Sequence, residues 1–183
     1  MKIQKWKTLK SHIILNHKWV KVRQDQIELP NGKIIDDYFV YPRPDIVLIL
    51  AITENKEIIL VRQYRHGVEK ILLELPGGTF NPAEETGELA AQRELEEETG
   101  YIADRLMPLT TFYDNPVKDT NKIHVFIAEN AQALGKQNLD ITEDIEIILV
   151  PIAAIMEKIA TGDIIVSGSI AAICLGLKFL SYY

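Results

Sequence analysis

Three glutamates, Glu94, Glu97 and Glu98, lie within the segment ELAAQRELEEETG. A helix brings residues three and four positions apart onto one face, so the three carboxylates are predicted to share a patch. Two carboxylates about 4 Å apart repel by roughly 4 kcal/mol at an effective dielectric near 20, so a cation must offset their charge. Arg93 is the only basic residue nearby, and such oxygen ligands suit Mg²⁺. A solvated acidic face is the competing interpretation.

Local signals define the helix that carries these carboxylates. Thr86 can cap its start, Glu88 lies in the first turn where the helix dipole favours an acid, and Gly100 suits the left-handed position beyond its end. The helix is therefore predicted over about residues 87–98. Three apolar positions lie at angles that can face the core: Leu89, Ala91 and Leu95.

The segment ELPGG precedes the helix and ends a predicted strand in two glycines, Gly77 and Gly78. Glycines let the backbone approach a ligand closely, and a carbonyl oxygen there can serve as an additional metal ligand. The spacing of the glutamates together with these glycines favours a metal site over a solvated face.

Composition limits the classes to which the chain can belong. At 183 residues, 47% apolar and 25% charged, it is typical of one folded domain and not of a disordered chain. The net charge of −6 disfavours a nucleic-acid binder. The N-terminal segment lacks a secretory apolar region and no apolar run can span a bilayer, so we expect a cytoplasmic protein without a membrane partner. The single cysteine, Cys174, is expected to be a buried thiol.

Alternating and apolar runs predict the elements around the helix. WVKVRQDQIEL and KIIDDYFVY, joined by PNG, indicate an antiparallel hairpin over about residues 18–41. YPRP then interrupts the sheet, which divides the chain into an N-terminal strand layer, residues 1–41, and a main domain, residues 42–183. Further strands and two C-terminal helices indicate a mixed α/β domain. The strands are DIVLILAI, IILVRQYR, KILLELP, KIHVFIAE and DIEIILVP.

The segment from Gly78 to Tyr101 resembles the signature of the Nudix hydrolases, a glycine and a glutamate followed by Arg-Glu-apolar-x-Glu-Glu-x-Gly-apolar. The matching positions are Gly78, Glu85, Arg93, Glu94, Leu95, Glu97, Glu98, Gly100 and Tyr101. The resemblance implies the Nudix fold, an α/β architecture in which a mixed β-sheet is sandwiched between helices, here with an N-terminal antiparallel strand layer.

One residue departs from that signature. Five residues usually separate the first glycine from the first glutamate, whereas Gly78 and Glu85 enclose six. Taking Glu84 restores the five but lengthens the gap to Arg93 from the usual seven residues to eight. Because helical phase matters more after the loop than within it, we place the insertion in TFNPAE and assign Glu85.

The resemblance also implies a reaction, the metal-dependent hydrolysis of a nucleoside diphosphate linked to another group. The metal is usually Mg²⁺, with Mn²⁺ as a substitute. Glu94 and Glu98 would be the principal ligands, the Gly77 carbonyl a backbone ligand, and Glu97 a further ligand or a catalytic water holder. Arg93 belongs with the catalytic residues because it orients the glutamates. Three residues have structural roles in the motif: Gly78, Glu85 and Gly100.

Many members of the family add a carboxylate from a distant loop, as a general base or as another ligand. The segment LDITEDIEIILV offers Asp140, Glu143 and Asp144 just before a strand. We select Glu143 as the catalytic residue, against the alternative of an ordinary polar loop.

The surroundings resemble the ADP-ribose pyrophosphatase and nucleotide-sugar branch over nearly the whole chain, through VRQYRHG, LLELPGG and the proline of FYDNP. The predicted substrate is therefore ADP-ribose, cleaved to AMP and ribose 5-phosphate. Because PVKDTNK departs from the pattern of that branch, GDP-mannose or another nucleotide sugar is an alternative. A non-catalytic domain that senses nucleotide sugars is an alternative of another class. The substrate contacts are predicted at Arg65, Tyr41, Glu74 and Pro116.

The N-terminal strands of this branch commonly exchange between subunits, so the resemblance implies a homodimer. A self-contained hairpin would have the same sequence pattern. Trp19, like Tyr41, could stack on a nucleotide base or pack in the core.

Overall fold

The computed structural model describes residues 2–182, which form two compact units. The first unit comprises the chain up to Pro44 together with Tyr113–Asn121. The second comprises Asp45–Phe112 and the chain from Lys122 onward. The contacts between residues therefore group the N-terminal strands into a unit of their own. A short later segment of the chain belongs to the same unit.

The first unit is a three-stranded antiparallel sheet in the order β1-β2-β3. Its strands are β1 (Lys7–His17), β2 (Val20–Glu28) and β3 (Ile34–Val40). The β2–β3 hairpin lies where the alternating sequence predicts it, and Gly32 supplies the positive φ of 82° at its turn. The sequence did not predict β1, because both of its faces are largely exposed and its apolar residues do not alternate.

The second unit is a mixed eight-stranded sheet with three helices. Its strands are β4 (Asp45–Thr53), β5 (Glu57–Arg65), β6 (Lys70–Glu74), β7 (Thr79–Phe80), β8 (Tyr101–Ile102), β9 (Leu106–Phe112), β10 (Ile123–Ala133) and β11 (Ile145–Pro151). The central order is β11-β5-β4-β10-β8, with β6 beside β5, β7 beside β4 and β9 beside β10. β4 and β10 are parallel and the other pairs are antiparallel.

The helices cover both faces of this sheet. They are α1 (Gly87–Thr99), α2 (Ile152–Ala160) and α3 (Ser167–Phe179). Successive residues of a strand point to opposite faces, so Ile49 of β4 packs in the core on the α1 side and Leu50 in the core with α2 and α3. The predicted α/β Nudix fold with a sheet between helices is confirmed.

Two properties of the helices bear on the predictions made from the sequence, the exposure of Cys174 and the length of the apolar segments. Cys174, expected to be buried, is exposed on α3, because the buried stripe of this helix runs through other residues, among them Ile173 and Leu177. None of the helices described within residues 2–182 has the length and apolar character needed to cross a membrane.

Candidate active site

Helix α1 is delimited by the residues that the sequence indicates. The Thr86 hydroxyl accepts the Leu89 N–H at 3.3 Å, and Gly100 ends the helix with a φ of 68°. Ala91 and Leu95 face the sheet, as predicted. Leu89 does not, since it is 57% exposed, because the buried stripe follows Ala90, Ala91 and Leu95. The helix therefore presents a narrow apolar side to the core and its acidic side elsewhere.

Glu98 is the most deeply buried carboxylate of the helix, with 4% of its surface exposed. The Gly77 N–H donates to its Oε2 at 2.8 Å. Burial raises the pKa of Glu98 to about 8, and the charges of Glu94 and Glu143 act in the same direction. The Gly77 hydrogen bond and the charge of Arg65 oppose the shift without cancelling it. The carboxylate thus lacks enough positive charge within the protein.

Glu94 lies beside Glu98 against the glycine loop. Burial raises the pKa of Glu94, and the bonded guanidinium of Arg93 opposes this only in part. A Cβ added to Gly78 would overlap the Glu94 carboxyl group. A glycine is therefore required at this position for the carboxylate to occupy its place.

The glycine loop is fastened to β4. The Val47 N–H donates to the Gly78 carbonyl at 2.9 Å, and the Ile49 N–H donates to the Pro76 carbonyl at 3.0 Å. A Cβ at Gly77 would overlap the Val47 carbonyl. The loop thus runs directly along β4 while its Gly77 amide faces Glu98.

Arg93 connects the loop before the helix to the acidic face. Its guanidinium donates to Glu94 at 2.7 Å, to Glu97 at 3.0 Å and to Glu85 at 2.9 Å. The Glu85 bond is the largest contribution that raises the pKa of Arg93 above its ordinary value. Arg93 is therefore permanently charged and holds two of the three carboxylates that are predicted to bind the metal.

The inserted loop is a turn built around Asn81. The Asn81 side chain accepts the Ala83 N–H at 3.1 Å and donates to Glu84 at 2.9 Å. Glu84 thus closes the turn, and Glu85 is the residue that reaches Arg93. The additional residue is absorbed before the helix begins.

The acidic residues fit a hard divalent cation by their chemistry. Within residues 2–182 no three metal-ligating side chains already converge in a cation-binding arrangement, because Glu94 and Glu97 turn to Arg93 and Glu98 turns to Gly77. Two buried carboxylates with raised pKa values nevertheless lie together, and among the described residues their hydrogen-bond donors are Arg93 and the Gly77 amide. Oxygen ligands with uncompensated negative charge are what Mg²⁺ prefers.

Glu143 approaches this face from the loop between β10 and β11. It is half-buried, and its carboxylate accepts the Asp140 N–H at 2.9 Å. Its negative charge contributes to the raised pKa of both Glu94 and Glu98. The fold therefore brings a residue distant in sequence near the carboxylates of α1.

Two residues that the sequence did not single out connect this loop to α1. Gln137 Nε2 donates to the Glu98 carbonyl at 2.8 Å and to the Ile145 carbonyl at 3.2 Å. The Asn138 N–H donates to the Glu97 carbonyl at 2.8 Å. Neither residue belongs to a motif, so no sequence signal could have identified these contacts.

Arg65 and Glu74 form a two-fold hydrogen-bonded pair between β5 and β6. Arg65 Nε donates to Glu74 Oε1 at 2.8 Å and Nη2 donates to Oε2 at 3.1 Å. The Glu74 bond raises the pKa of Arg65, and the charges of Glu98 and Glu143 add to that effect. Arg65 is thus close enough to Glu98 and Glu143 to interact with their charges, while Glu74 holds its planar guanidinium group.

Tyr41 and Pro116, predicted as substrate contacts, belong to the first unit. Tyr41 exchanges backbone hydrogen bonds with the segment after Pro116, at Lys118 and Thr120. Both side chains are exposed, and so is Trp19 at 73%. The alternative that Tyr41 and Trp19 pack in the core of the first unit is therefore wrong.

Comparison with family models divides the chain into two matches. Residues 6–41 match the nucleoside diphosphate sugar hydrolase N-terminal domain. Residues 42–165 match the NUDIX domain. The second match covers the glycine loop, α1 and the loop of Glu143.

Individual relatives agree with these matches. The chain is 35% identical to an ADP-ribose pyrophosphatase of Bacillus subtilis over 165 residues, which is 90% of this chain and 88% of the relative. It is 33% identical to a GDP-mannose pyrophosphatase of Escherichia coli over 135 residues, 68% of this chain and 69% of the relative. A crystal structure of an ADP compounds hydrolase superposes with a TM-score of 0.87 at 25% identity, covering 99% of this chain and 97% of that one.

Proposed function

The chain belongs to the NUDIX family, and from that premise we propose that it hydrolyses the diphosphate bond of a nucleoside diphosphate sugar. The first candidate is ADP-ribose, with AMP and ribose 5-phosphate as products. The observation that carries the proposal is the buried Glu98, whose raised pKa reflects negative charge that the chain itself does not neutralise. A diphosphate with a bound cation supplies the missing partner.

Glu94 and Glu98 would hold the metal, with the Gly77 carbonyl as a backbone ligand and Glu97 as a further ligand or water holder. When bound, Mg²⁺, or Mn²⁺ in its place, neutralises the diphosphate and acidifies water. Arg93 keeps Glu94 and Glu97 oriented through its two hydrogen bonds. The carboxylates thus enter the reaction already ordered.

Glu143 would accept the proton of the attacking water on its carboxylate. The loop places its charge close enough to influence Glu94 and Glu98, which supports this role. Arg65 would orient the diphosphate, with Glu74 holding its guanidinium in a fixed plane. Gly78, Glu85 and Gly100 would support the loop and the helix without taking part in the reaction.

The first unit would complete the enzyme as a homodimer. This unit exposes several large apolar side chains to solvent. They include Ile13, Ile14, Leu15, Trp19 and Ile34. A second copy of the chain would cover them, and Tyr41 and Pro116 would contact the nucleotide or the sugar. Sedimentation equilibrium should show a dimer; a monomer at micromolar concentration would contradict this part of the proposal.

The substrate is tested with a panel of ADP-ribose, GDP-mannose and other nucleotide sugars, each with Mg²⁺, by detection of the released nucleoside monophosphate. ADP-ribose should be hydrolysed fastest. Preference for GDP-mannose would favour the alternative substrate, which the Escherichia coli relative supports. Tight binding without any product would instead favour the sensing domain.

A cytoplasmic location, without membrane or nucleic-acid partners, is part of the same proposal. The net charge of −6 supports the exclusion of nucleic acid, since nonspecific binding requires clustered basic residues. Fractionation of cells that express the tagged chain tests the location, and recovery in the membrane fraction would contradict it.

A further inference from the structure

The loop of residues 134–144, between β10 and β11, completes the C-terminal end of α1. The last carbonyls of a helix have no partner within the helix and must find one elsewhere. Here the Asn138 N–H bonds the Glu97 carbonyl and Gln137 bonds the Glu98 carbonyl. The Gly135 N–H also donates to the Gly100 carbonyl at 2.9 Å. The same loop that carries Glu143 is therefore the cap of the helix that carries Glu94 and Glu98.

Among these contacts, that of Gln137 comes from a side chain, and this side chain reaches two elements of the fold. Its Nε2 joins the Glu98 carbonyl, in the last turn of α1, to the Ile145 carbonyl, at the first residue of β11. Both amide protons are thereby used. Glu143 lies two residues before Ile145, which pairs with Gln63 in the β11–β5 ladder, so the bridge joins the last turn of α1 to the strand end from which Glu143 extends.

The other contacts between the loop and α1 come from residues that precede Glu143 by five or more positions. Gly135 and Asn138 bond through their backbone amides, near the start of the loop. Glu143 bonds within its own turn, to the Asp140 amide at 2.9 Å and through its own amide to the Asp140 carbonyl at 2.9 Å. That turn shapes the segment without attaching it to α1, whereas Gln137 attaches its C-terminal end.

We propose that Gln137 is a positioning residue for hydrolysis, which holds the Glu143 turn against the last turn of α1 so that Glu143 faces Glu94 and Glu98. The inference rests on the proposed function for its catalytic part. Gln137 acts through placement alone, because its side chain bonds two carbonyl oxygens and no carboxylate.

The first test measures steady-state hydrolysis by Gln137→Ala and Gln137→Glu. The second variant keeps the shape but sets carboxylate oxygens against two carbonyls. We expect kcat to fall about tenfold with KM within about twofold, well inside the hundredfold that a 1 Å misplacement can cost. Gln132→Ala is the matched control, since in the described structure the Gln132 side chain bonds only the exposed Glu54, and the variant should keep full activity.

Combination with Glu143→Gln separates positioning from a general loss of structure. If Gln137 acts through Glu143, adding Gln137→Ala to Glu143→Gln causes no further loss of kcat. Independent, multiplying losses would overturn the proposal. So would a Glu143→Gln variant with unchanged kcat, since Gln137 would then have no catalytic residue to place.

Hydrogen exchange tests the bridge without any turnover. The amides of residues 139–144 should exchange about tenfold faster in Gln137→Ala, and at the wild-type rate in Gln132→Ala. Unchanged exchange in Gln137→Ala would overturn the proposal whatever the kinetics. Absence of hydrolysis by the wild-type protein would reject the proposed function and the catalytic role of Gln137 together, while faster exchange would still establish the bridge.

Discussion

Two carboxylates in different units of the molecule are equally buried and behave in opposite ways. Asp25 of the first unit and Glu98 of the second each expose 4% of their surface. Burial by itself raises the pKa of both groups. For Asp25 this effect is outweighed and the pKa lies below its ordinary value, whereas for Glu98 the pKa rises to about 8.

Part of the difference comes from the partners, and part from the smaller amount of protein around Asp25, which lies in a three-stranded sheet. Asp25 accepts hydrogen bonds from the Ser11 hydroxyl and from Arg23, whose Nη2 lies 2.9 Å from Oδ2. Glu98 accepts one backbone N–H and has two further carboxylates near it. Bonded partners offset the cost of burying a charge, and a buried charge without them is unfavourable. The charge of Asp25 is thus bonded to a guanidinium, whereas the described residues give Glu98 no bonded cation.

The largest effect should follow Glu98→Gln. The substitution keeps the shape but removes the charge that would bind the metal. Loss of a residue that only supports a metal ligand costs up to about a hundredfold, so loss of a ligand itself should lower hydrolysis by at least that factor. The thermal unfolding temperature of the metal-free protein should stay the same or rise. Initial rates with the best substrate and a thermal melt measure both. Glu96→Gln, on an exposed position of the same helix, is the control. Unchanged turnover in Glu98→Gln would remove that residue from the mechanism.

The pH dependence of metal-free stability should show opposite slopes for the two groups. The pKa of Glu98 is about 8 when folded and 4.5 ordinarily, so its contribution is complete below pH 4.5 and is lost as the pH rises to about 8. At about 1.4 kcal/mol per pKa unit this amounts to a few kcal/mol. The pKa of Asp25 is lowered, so its contribution exists above pH 3.8 and is lost as the pH falls further.

Urea unfolding between pH 3 and pH 9 measures both slopes. Glu98→Gln should reduce the fall in stability between pH 4.5 and about 8 and leave the part that comes from Glu94, whose pKa is also raised, whereas Asp25→Asn should flatten only the slope below pH 3.8. An unchanged slope between pH 4.5 and about 8 in Glu98→Gln would assign the titration to another group and remove the contrast with Asp25.

Asp25→Asn should destabilise the first unit by about 2 kcal/mol, because the charge-assisted bonds to Ser11 and Arg23 are lost. Chemical unfolding of the full chain measures the change. Asp37→Asn is the control, since Asp37 is exposed on the neighbouring strand β3. Equal stability of the two variants would show that the partners of Asp25 contribute nothing net.

Addition of Mg²⁺ should have the smallest effect. At ten times its dissociation constant a ligand of the folded state stabilises by about 1.4 kcal/mol, or about 4 °C for a chain of this size. Thermal melts at pH 7.5 with and without the metal should show this rise in the wild type and not in Glu98→Gln. An equal rise in both proteins would place the bound metal elsewhere.

Helix α1 and its glycine loop could be predicted from the sequence because their causes are local. Thr86 and Gly100 delimit the helix by capping, and the spacing of Glu94 and Glu98 follows from helical geometry. Leu89, Cys174 and β1 were not predicted correctly, because their exposure or pairing depends on which neighbours cover them. The local sequence pattern shows which residues can be buried, whereas the neighbouring elements determine which of them are buried.

The sequence by itself determined that this chain carries a cluster of acidic residues on a capped helix behind two glycines, since each of these features needs only nearby residues. Only the tertiary structure decided that Glu98 is buried under Gly77, that Glu85 reaches Arg93, and that the loop with Gln137 and Glu143 closes on the same helix. Those contacts join residues far apart in the chain, and their free energy depends on burial and on charges that no local pattern contains.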